Sequence, residues 1–380
     1  INIPGIEIKD DPILQTSYIT MNGISGENIR VYVDGVPVIG LVSGKLDVSS
    51  ISLTHVEKVE IIETPLSVEY AGNAVGGVIA ITTSSSKGFM GLKSSVTLAT
   101  ESAGLFSKYA SLQYGGEHHR IGAHLGHVER KEVKQEGTRI PLWSPSETIN
   151  FGLLYGLSFS KWDMRLQYDG VLDEKISTGE WFSDPSSLAF DENLGEFVAS
   201  DSNAKDIRFS TARHTLNLHA SFDLGKSSRF ENQISLSDYE RKGQDEYTSF
   251  LSGEDSLGAT VINYYNAVTM SSLLKSDLGE NFPILIGVDG EYFSTEGPRV
   301  ADTSQDISTA GAFINTALKH IDLISLEFGV RTQYNSKYKI RTLGSMPIIP
   351  SLVFNIKFSK KTSSSFGYSR GFRSPSLQEL

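Results

Sequence analysis

The hydrophobic pattern of the chain changes near residue 88. Beyond that point, apolar and polar residues alternate with a period of two, as in the run 215–224, where every second residue is apolar. This alternation predicts β-strands with one apolar and one polar face. The same pattern recurs at 162–169, 324–331 and 352–358. The sequence therefore predicts a mainly β fold.

The links between these strands alternate strictly between short and long. A soluble β-sandwich would give similar alternation within its strands. The order of the links favours a transmembrane antiparallel β-barrel, which has short turns on one side and long loops on the other. The short links are at 115–119, 160–161, 224–228, 278–281, 319–322 and 359–362, and the long links are at 130–149, 173–207, 241–260, 295–307 and 336–347.

The apolar faces of such a barrel are expected to meet lipid, and the charged residues of the opposite faces are expected to line the lumen. The apolar set includes Leu216, Leu218, Phe222, Leu352, Phe354 and Phe358, and the lumen set includes Arg165, Glu327 and Arg331.

The pattern gives about thirteen strands. Bacterial barrels have even strand numbers, and plugged transporters have about 22 strands. The sequence thus predicts a partial barrel, incomplete at its C-terminal side. The predicted strands are 88–100, 106–115, 119–130, 149–160, 162–172, 208–224, 227–240, 261–278, 281–294, 308–320, 322–336, 346–359 and 362–371.

Composition narrows the function classes. The chain has no cysteine, so neither disulfides nor thiolate metal sites can form, and its net charge of -11 argues against a nucleic-acid surface. No apolar run approaches the ~18 residues that a membrane helix needs. The chain opens on Ile1 without a signal-peptide pattern, which suggests a mature fragment.

Residues 1–83 carry a different set of motifs. Asp34-Gly35-Val36-Pro37 predicts a tight turn after a short strand. The run 55–62, with Glu57 and Glu60, predicts a half-polar strand, and the small-residue segment 71–77, with Gly72, Gly76 and Gly77, predicts a crowded turn before the strand at 78–82. Residues 84–87 are the predicted joint to the barrel at 88–380.

These motifs, in this order and spacing, resemble the plug domain of TonB-dependent outer-membrane receptors. The segment GFRSPSLQEL at 371–380 resembles a barrel motif of the same family. The resemblance implies a small α/β plug at 1–83, incomplete at its N-terminus, inside a β-barrel that imports a scarce nutrient. It also implies a TonB-type periplasmic energy-coupling protein as partner, although nothing in the chain matches the family's energy-coupling box.

The resemblance also implies a ligand-facing plug apex at Val38–Asp47. The candidate ligand-binding residues there are Ile39, Leu41, Val42, Ser43 and Lys45. Two departures concern arginines that usually join the plug to barrel glutamates, because this chain has Asn22-Gly23 and Glu63-Thr64-Pro65 at those places. The usual ion pairs between plug and barrel are therefore in doubt.

The long link at 173–207 combines acids with aromatic residues. Trp181, Phe182 and Phe190 are candidates for gripping a bulky ligand, for a small core within the loop, or for the membrane interface. Asp184, Asp191 and Glu192 are candidate calcium ligands, because hard cations take several oxygen ligands. A solvated acidic loop is the simpler interpretation of these carboxylates, and no cofactor is expected.

No catalytic arrangement stands out, so an enzyme is not expected. His118-His119 lies in a short turn, where a solvated surface is a better interpretation than a metal site. The favoured function is receptor and importer for a ferric siderophore, with cobalamin as the alternative ligand. A passive porin or adhesive barrel is disfavoured because a passive pore gains nothing from a plug.

Overall fold

The computed structural model of the protein combines a small N-terminal domain with one large antiparallel sheet. It describes all residues except 1–2, 43, 52–55, 64–67, 71, 73, 84–89, 103, 184–187, 192–195, 200–201, 251, 280–281, 299–302, 321–322, 338–346, 360–361 and 372–380. The predicted joint at 84–87 lies outside the described residues.

The N-terminal domain is built from three small sheets. The first joins β1, β2 and β3; the second has the order β5-β4-β9-β8, with β4 and β9 parallel; the third pairs β6 with β7. Within the described residues its helical part consists of 3-10 turns at Gly26–Asn28 and Val48–Ser50. The strands are Ile6–Asp11 (β1), Thr16–Met21 (β2), Ile24–Ser25 (β3), Ile29–Val33 (β4), Val36–Pro37 (β5), Leu41–Val42 (β6), Lys45–Leu46 (β7), Val56–Ile62 (β8) and Gly77–Thr83 (β9).

This domain has an apolar core of its own. Alternate residues of β4 and β9 point to one side and pack against β2 and β7, because side chains on a strand alternate between its two faces. The buried core residues are Met21, Ile29, Val31, Leu46, Ile79 and Ile81.

The large sheet has fourteen strands, thirteen of them in sequence order and β15 paired on the side of β18. The hairpin β16–β17 stands apart from it. The strands are Gly91–Thr100 (β10), Leu105–Gly115 (β11), His119–Arg130 (β12), Ser146–Ser158 (β13), Trp162–Ser177 (β14), Trp181–Ser183 (β15), Leu188–Asp191 (β16), Glu196–Ala199 (β17), Ser202–Asp223 (β18), Ser228–Ser249 (β19), Asp255–Asp277 (β20), Pro283–Glu296 (β21), Ser304–His320 (β22), Ile324–Asn335 (β23), Ile348–Ser359 (β24) and Thr362–Ser369 (β25).

The predicted mainly β fold and the thirteen sequential strands are confirmed. The strand bounds differ from the predicted ones at the end of the sheet that carries the long links, here called the outer end. There β18, β19 and β20 are 22 to 23 residues long and extend well beyond the predicted bounds. The extensions are rich in polar residues on both faces, so the alternation that marks a strand in lipid is lost although the backbone ladder continues.

The sheet buries polar side chains and exposes apolar ones. On β18, Asn217 and Ser221 are 3% and 4% exposed, whereas Leu216 and Phe222 are 40% and 43% exposed. Of the apolar set expected to meet lipid, Leu352 and Phe358 are also exposed, and Leu218 and Phe354 are partly exposed. This distribution is the reverse of a soluble sandwich and is typical of a barrel wall in lipid.

The wall curves around the N-terminal domain, which contacts the polar faces of strands from β14 to β23. The strand order of the large sheet begins at β10 and ends at β25, and these two strands are not paired with each other. No helix in the described part of the chain is long and apolar enough to span a membrane.

Candidate functional site between the N-terminal domain and the wall

The turn at Asp34-Gly35 joins the N-terminal domain to the wall by hydrogen bonds. Both residues have positive φ, 50° and 82°, which glycine adopts freely and aspartate tolerates. The Asp34 carboxylate accepts hydrogen bonds from the Thr83 backbone N–H at 2.9 Å and from Gln167 Nε2 at 3.2 Å. Gln233 Nε2 donates to the Asp34 carbonyl at 2.8 Å. A motif predicted as a turn therefore also holds the domain to β14 and β19.

An outer contact is formed by Asp47 and Lys175. Lys175 Nζ lies 3.1 Å from Asp47 Oδ2 and 3.2 Å from Asp173 Oδ2, and both carboxylate side chains are almost fully buried. Asp47 Oδ1 also accepts from the backbone N–H groups of Ser17 and Ser49, each at 3.1 Å. Asp47 thus caps a 3-10 turn, fastens β2 and binds the wall with one carboxylate.

The electrostatics of Asp47 follow from these partners. Burial alone would raise the pKa of this carboxyl, because it disfavours the charged form. The charge of Lys175 and the hydrogen bonds from Ser49 and Ser17 outweigh burial, so the pKa lies below its ordinary value. Asp47 is therefore a carboxylate at neutral pH.

Two wall arginines bind backbone carbonyls of the N-terminal domain beside this contact. Arg213 Nη2 donates to the Ser50 carbonyl at 3.1 Å, and Arg241 Nη2 donates to the Leu14 carbonyl at 2.6 Å. Neither arginine takes part in an ion pair found among the described residues. The wall thus supplies cations at its outer part, where the N-terminal domain supplies oxygen atoms.

A middle contact has the opposite polarity. Arg30, on β4, places Nη2 2.7 Å from Glu291 Oε2 on β21. The guanidinium carbon lies 5.6 Å from the centre of the Phe293 ring, within cation–π range. Burial alone would lower the pKa of Arg30, but the charge of Glu291 outweighs it and raises the pKa. The expected arginines are absent at Asn22 and Glu63, and Arg30 supplies an arginine–glutamate pair from another position.

The glycines of the predicted small-residue segment lie at close approaches. A Cβ on Gly72 would come within 2.9 Å of the Arg331 guanidinium of the wall. The Gly76 backbone N–H donates to the Asn28 carbonyl at 2.8 Å, and Gly77 begins β9 with φ 136°. Pro37 is buried in β5, while Glu57 and Glu60 lie exposed on β8. The crowded-turn interpretation thus fits the geometry of these glycines.

The residues predicted to line the lumen lie on the polar face of the wall. Arg331 is 4% exposed and binds both carboxylate oxygens of Asp289, each at 2.7 Å. Glu327 Oε1 accepts from Asn315 Nδ2 at 2.8 Å, and Arg165 shares the face of Gln167 on β14. These charges are partly neutralised within the wall itself.

The predicted apex residues mostly face the wall or the domain core. Ile39 is buried against Tyr239 and Ala267 of the wall, and Val42 is buried too. Leu41 packs on the domain core. Lys45 Nζ lies 3.8 Å from the centre of the Tyr18 ring, and Ser43 lies outside the described residues. Their assignment to ligand binding stays a prediction.

The turn between β1 and β2 was missed at the sequence level. It lies at the outer end, since Ser177 Oγ approaches the Pro12 carbonyl at 3.4 Å and Arg241 binds the Leu14 carbonyl. Ile13 at its tip is 69% exposed. The dipeptide Asp11-Pro12 is a recognised turn signal and could have located this tip.

The outer loops bring Trp181 into an aromatic group. Its ring meets Phe250 edge-on at 5.2 Å, and the Arg139 guanidinium carbon lies 5.2 Å from its centre. Arg139 in turn binds both carboxylate oxygens of Asp206 and lines a cavity of about 460 Å³. Trp181 therefore joins an aromatic contact between loops, and both Trp181 and Phe182 stay exposed, at 41% and 42%.

The remaining outer-loop candidates cannot be placed. Asp184, Glu192 and the side chains of Phe190 and Asp191 lie outside the described residues. In the part that is described, no group of three or more histidine, aspartate or glutamate side chains is arranged to hold a metal ion. His118 and His119 have separate partners, the Ser158 carbonyl at 3.1 Å and the Tyr155 hydroxyl at 3.0 Å.

Comparison with known proteins identifies the N-terminal domain. Residues 1–78 match the family model of the TonB-dependent receptor plug domain. The N-terminal domain is a plug domain of this type. Its plug region is also 28% identical over 81 residues to the vitamin B12 transporter BtuB of Photobacterium profundum, a stretch that covers 21% of this chain and 13% of that protein.

Solved structures show the same fold over nearly the whole chain. The siderophore receptor PirA from Acinetobacter baumannii matches 98% of this chain with a TM-score of 0.73 and 15% identity. The FrpB iron transporter from Neisseria meningitidis matches 98% with a TM-score of 0.74 and 14% identity. The chain covers 58% and 61% of those two chains. The N-terminal domain is thus the plug, and the sheet is the barrel wall around it.

Proposed function

We propose that this chain is the plug and a large part of the barrel of an outer-membrane receptor that imports a ferric siderophore. The observation that carries the proposal is the plug's attachment to the polar face of the wall by a few buried ionic and hydrogen-bonded contacts. A domain held in this way blocks passive flow and can be moved when a ligand binds and a partner pulls.

The outer ends of both parts supply the surfaces for ligand capture. The exposed β1–β2 turn, the predicted apex at Val38–Asp47 and the Trp181 loop all lie on the side of the long links. A bulky ligand buries most of its surface when several such elements converge on it. Transport needs no chemistry on the ligand, in keeping with a family of receptors.

The proposal implies two partners. The apolar outer face of the wall meets outer-membrane lipid. A TonB-type protein in the periplasm supplies the force that rearranges the plug. Calcium, if it orders the acidic outer loop, would bind the carboxylates of Asp184, Asp191 and Glu192.

Cobalamin is the second candidate ligand. The plug's 28% identity to a vitamin B12 transporter over 81 residues favours it. The solved structures with the same fold include siderophore and iron receptors, and siderophores are therefore the first choice.

Uptake and binding experiments test the proposal. Cells that carry the full-length receptor are expected to take up iron from ferric siderophores, and loss of the TonB-type partner is expected to abolish uptake. Replacement of residues 41–45 by a glycine-serine link should weaken equilibrium binding by at least about tenfold. Uptake that persists without the partner would contradict the proposal, and uptake of cobalamin alone would select the second ligand.

A control separates ligand contact from assembly. The same glycine-serine link is expected to leave heat-modifiable barrel mobility on gels unchanged, because the wall ladder does not include residues 41–45. A matching deletion of residues 180–200 tests the outer loop. Unchanged affinity in both variants would remove these two segments from the ligand site.

A further inference from the structure

The outer part of the lumen wall carries a group of polar residues that the plug does not fully satisfy. We call it the seam cluster, and it comprises Lys175, Thr211, Arg213, Tyr239 and Arg241. In the wall register Thr211 pairs with Arg241, and Arg213 pairs with Tyr239. Asp173 pairs with Thr211 on the next strand. The cluster is therefore a continuous patch across β14, β18 and β19.

The hydrogen bonding of this patch is incomplete. Arg241 is 5% exposed, and its Nη1 atom has no hydrogen-bond partner. The hydroxyl group of Thr211 is also buried without a partner. Buried polar groups are rarely left without partners, so an unfilled group of donors indicates a place where another molecule binds.

The charge of the patch is also uncompensated. Lys175 is neutralised by Asp47 and Asp173. Arg213 and Arg241 each donate to one neutral carbonyl, of Ser50 and Leu14 respectively, and the Arg241 guanidinium carbon also lies 4.3 Å from the centre of the Phe209 ring. Three cations thus face two carboxylates. An excess positive charge in a buried place is costly unless an anion neutralises it for part of the working cycle.

The chemistry of the missing partner follows from the donors. Guanidinium groups bind planar oxygen anions through paired hydrogen bonds, and a charged acceptor binds about twice as strongly as a neutral carbonyl. We propose that the seam cluster is a binding site for an oxygen anion, covered at rest by the Leu14 and Ser50 carbonyls and filled by the anionic group of the ligand once these segments move away.

This inference rests on the proposed import function, because it assigns a transit site to the ligand. It requires the ligand to carry exposed anionic oxygen atoms, such as carboxylate or phenolate groups. The Asp34 and Asp169 carboxylates line the same cavity as Arg213. In the wall register Asp169 pairs with Thr215, which lies two residues nearer the short turns than Arg213. The Asp169 carboxylate is therefore at the inner end of the cavity, and an anion is held at the outer end.

Plug opening can be measured without any nutrient. Residues 1–380 contain no cysteine, so Ser50→Cys introduces the single thiol of this part of the receptor, at a position that is 4% exposed in the resting plug, and labelling is read at residue 50 by peptide mapping. The rate of thiol labelling then reports how often this segment leaves the wall. An anion that binds only the open state raises that rate by mass action.

Pyrophosphate is the probe, compared with sodium chloride at equal ionic strength. Labelling is expected to accelerate about threefold when pyrophosphate is at roughly twice its dissociation constant. The double change R213Q/R241Q should abolish this acceleration. The matched control R208Q should retain it, because Arg208 lies on the same strand but already pairs with Glu246 at 2.8 Å.

Three outcomes overturn the inference. They are no acceleration by pyrophosphate, equal acceleration in R213Q/R241Q, and equal acceleration by chloride, which would show general screening of the Lys175–Asp47 pair. If the double variant is not recovered in folded form, R213Q and R241Q are measured singly, and each should lessen the acceleration. Since the assay contains neither nutrient nor coupling protein, its result does not depend on the outcome of the uptake experiments.

Discussion

In the described part of the chain, the plug meets the wall through two ionic contacts of opposite polarity. At the outer contact the wall supplies the cation, Lys175, and the plug supplies Asp47. At the middle contact the plug supplies the cation, Arg30, and the wall supplies Glu291. The outer pair has side chains that are 9% and 4% exposed, against 17% and 15% for the middle pair.

Loss of one partner should disturb plug docking more at the outer contact than at the middle contact. A deeply buried pair adds little net stability while it is intact, because desolvation offsets the attraction, but removal of one partner leaves an unpaired charge in a place of low dielectric. The outer contact is also the nearer one to the long loops, where the proposed ligand arrives. It is therefore suited to sense ligand binding, whereas the middle contact is suited to hold the plug in place.

The largest expected effect comes from removing the outer cation. Lys175→Met leaves both Asp47 and Asp173 without their partner, and should destabilise plug docking by about 3–5 kcal/mol. Urea titration of the plug, followed by labelling of Ser50→Cys, measures the change. The double variant K175M/D47N should recover part of the loss. Equal losses in single and double variants would mean that the pair is not coupled.

The middle contact should give a smaller loss. Arg30→Met removes the ion pair with Glu291 and the cation–π contact with Phe293. Plug docking should lose about 1.5–3 kcal/mol, the usual range for a hydrogen bond to a charged group. The same urea titration applies. Adding Glu291→Gln to Arg30→Met should reduce the loss. If Arg30→Met costs more than Lys175→Met, the ranking of the two contacts is wrong.

The sequence predicts the fold more fully than it predicts these contacts. Period-two alternation in runs such as 215–224 locates strands and their lipid-facing sides, because local pleating alone sets that pattern. The Asp34-Gly35 turn likewise has a local signal. Asn22 and Glu63 stand where the family usually has arginines, which puts the usual ion pairs in doubt, and an arginine–glutamate pair is found instead between Arg30 and Glu291.

The contacts depend instead on which wall strand faces which part of the plug. Asp47 and Lys175 are 128 residues apart, and Arg30 and Glu291 are 261 residues apart. Stagger and curvature of the wall bring them together, and neither leaves a local mark in the sequence. Arg30 lies within a strand and Asp47 lies in a loop, and neither position carries a local signal of an ion pair with the wall. The sequence therefore does not predict either contact.

A third prediction tests how tightly the plug fits the wall between these contacts. Gly40 has φ 109°, and a Cβ there would overlap the ring of Tyr239. Gly40→Ala should therefore cost about 1–3 kcal/mol through overpacking, measured by the same titration. Tyr239→Leu should relieve part of this cost in the double variant. No recovery would place the cost in backbone strain at the positive φ alone.

The smallest expected effect is the acid dependence of the outer contact. The pKa of Asp47 is lower in the folded plug than in the unfolded chain, because Lys175 and two sets of hydrogen bonds outweigh burial. Its stabilising contribution is therefore complete above its unfolded pKa of about 4, and is lost as pH falls through the folded value. Plug stability should be flat between neutral pH and about pH 5 as far as Asp47 is concerned.

The comparison with Asp47→Asn isolates this group from other carboxylates. Below about pH 4 the wild-type plug should lose more stability than the D47N plug, and the difference between them should shrink with falling pH. The loss should be smaller than that caused by Lys175→Met, since a neutral carboxyl can still accept the hydrogen bonds from Ser17 and Ser49. A difference that stays constant down to pH 2 would show that Asp47 does not titrate in this range, and a difference that grows would reverse the sign of its shift.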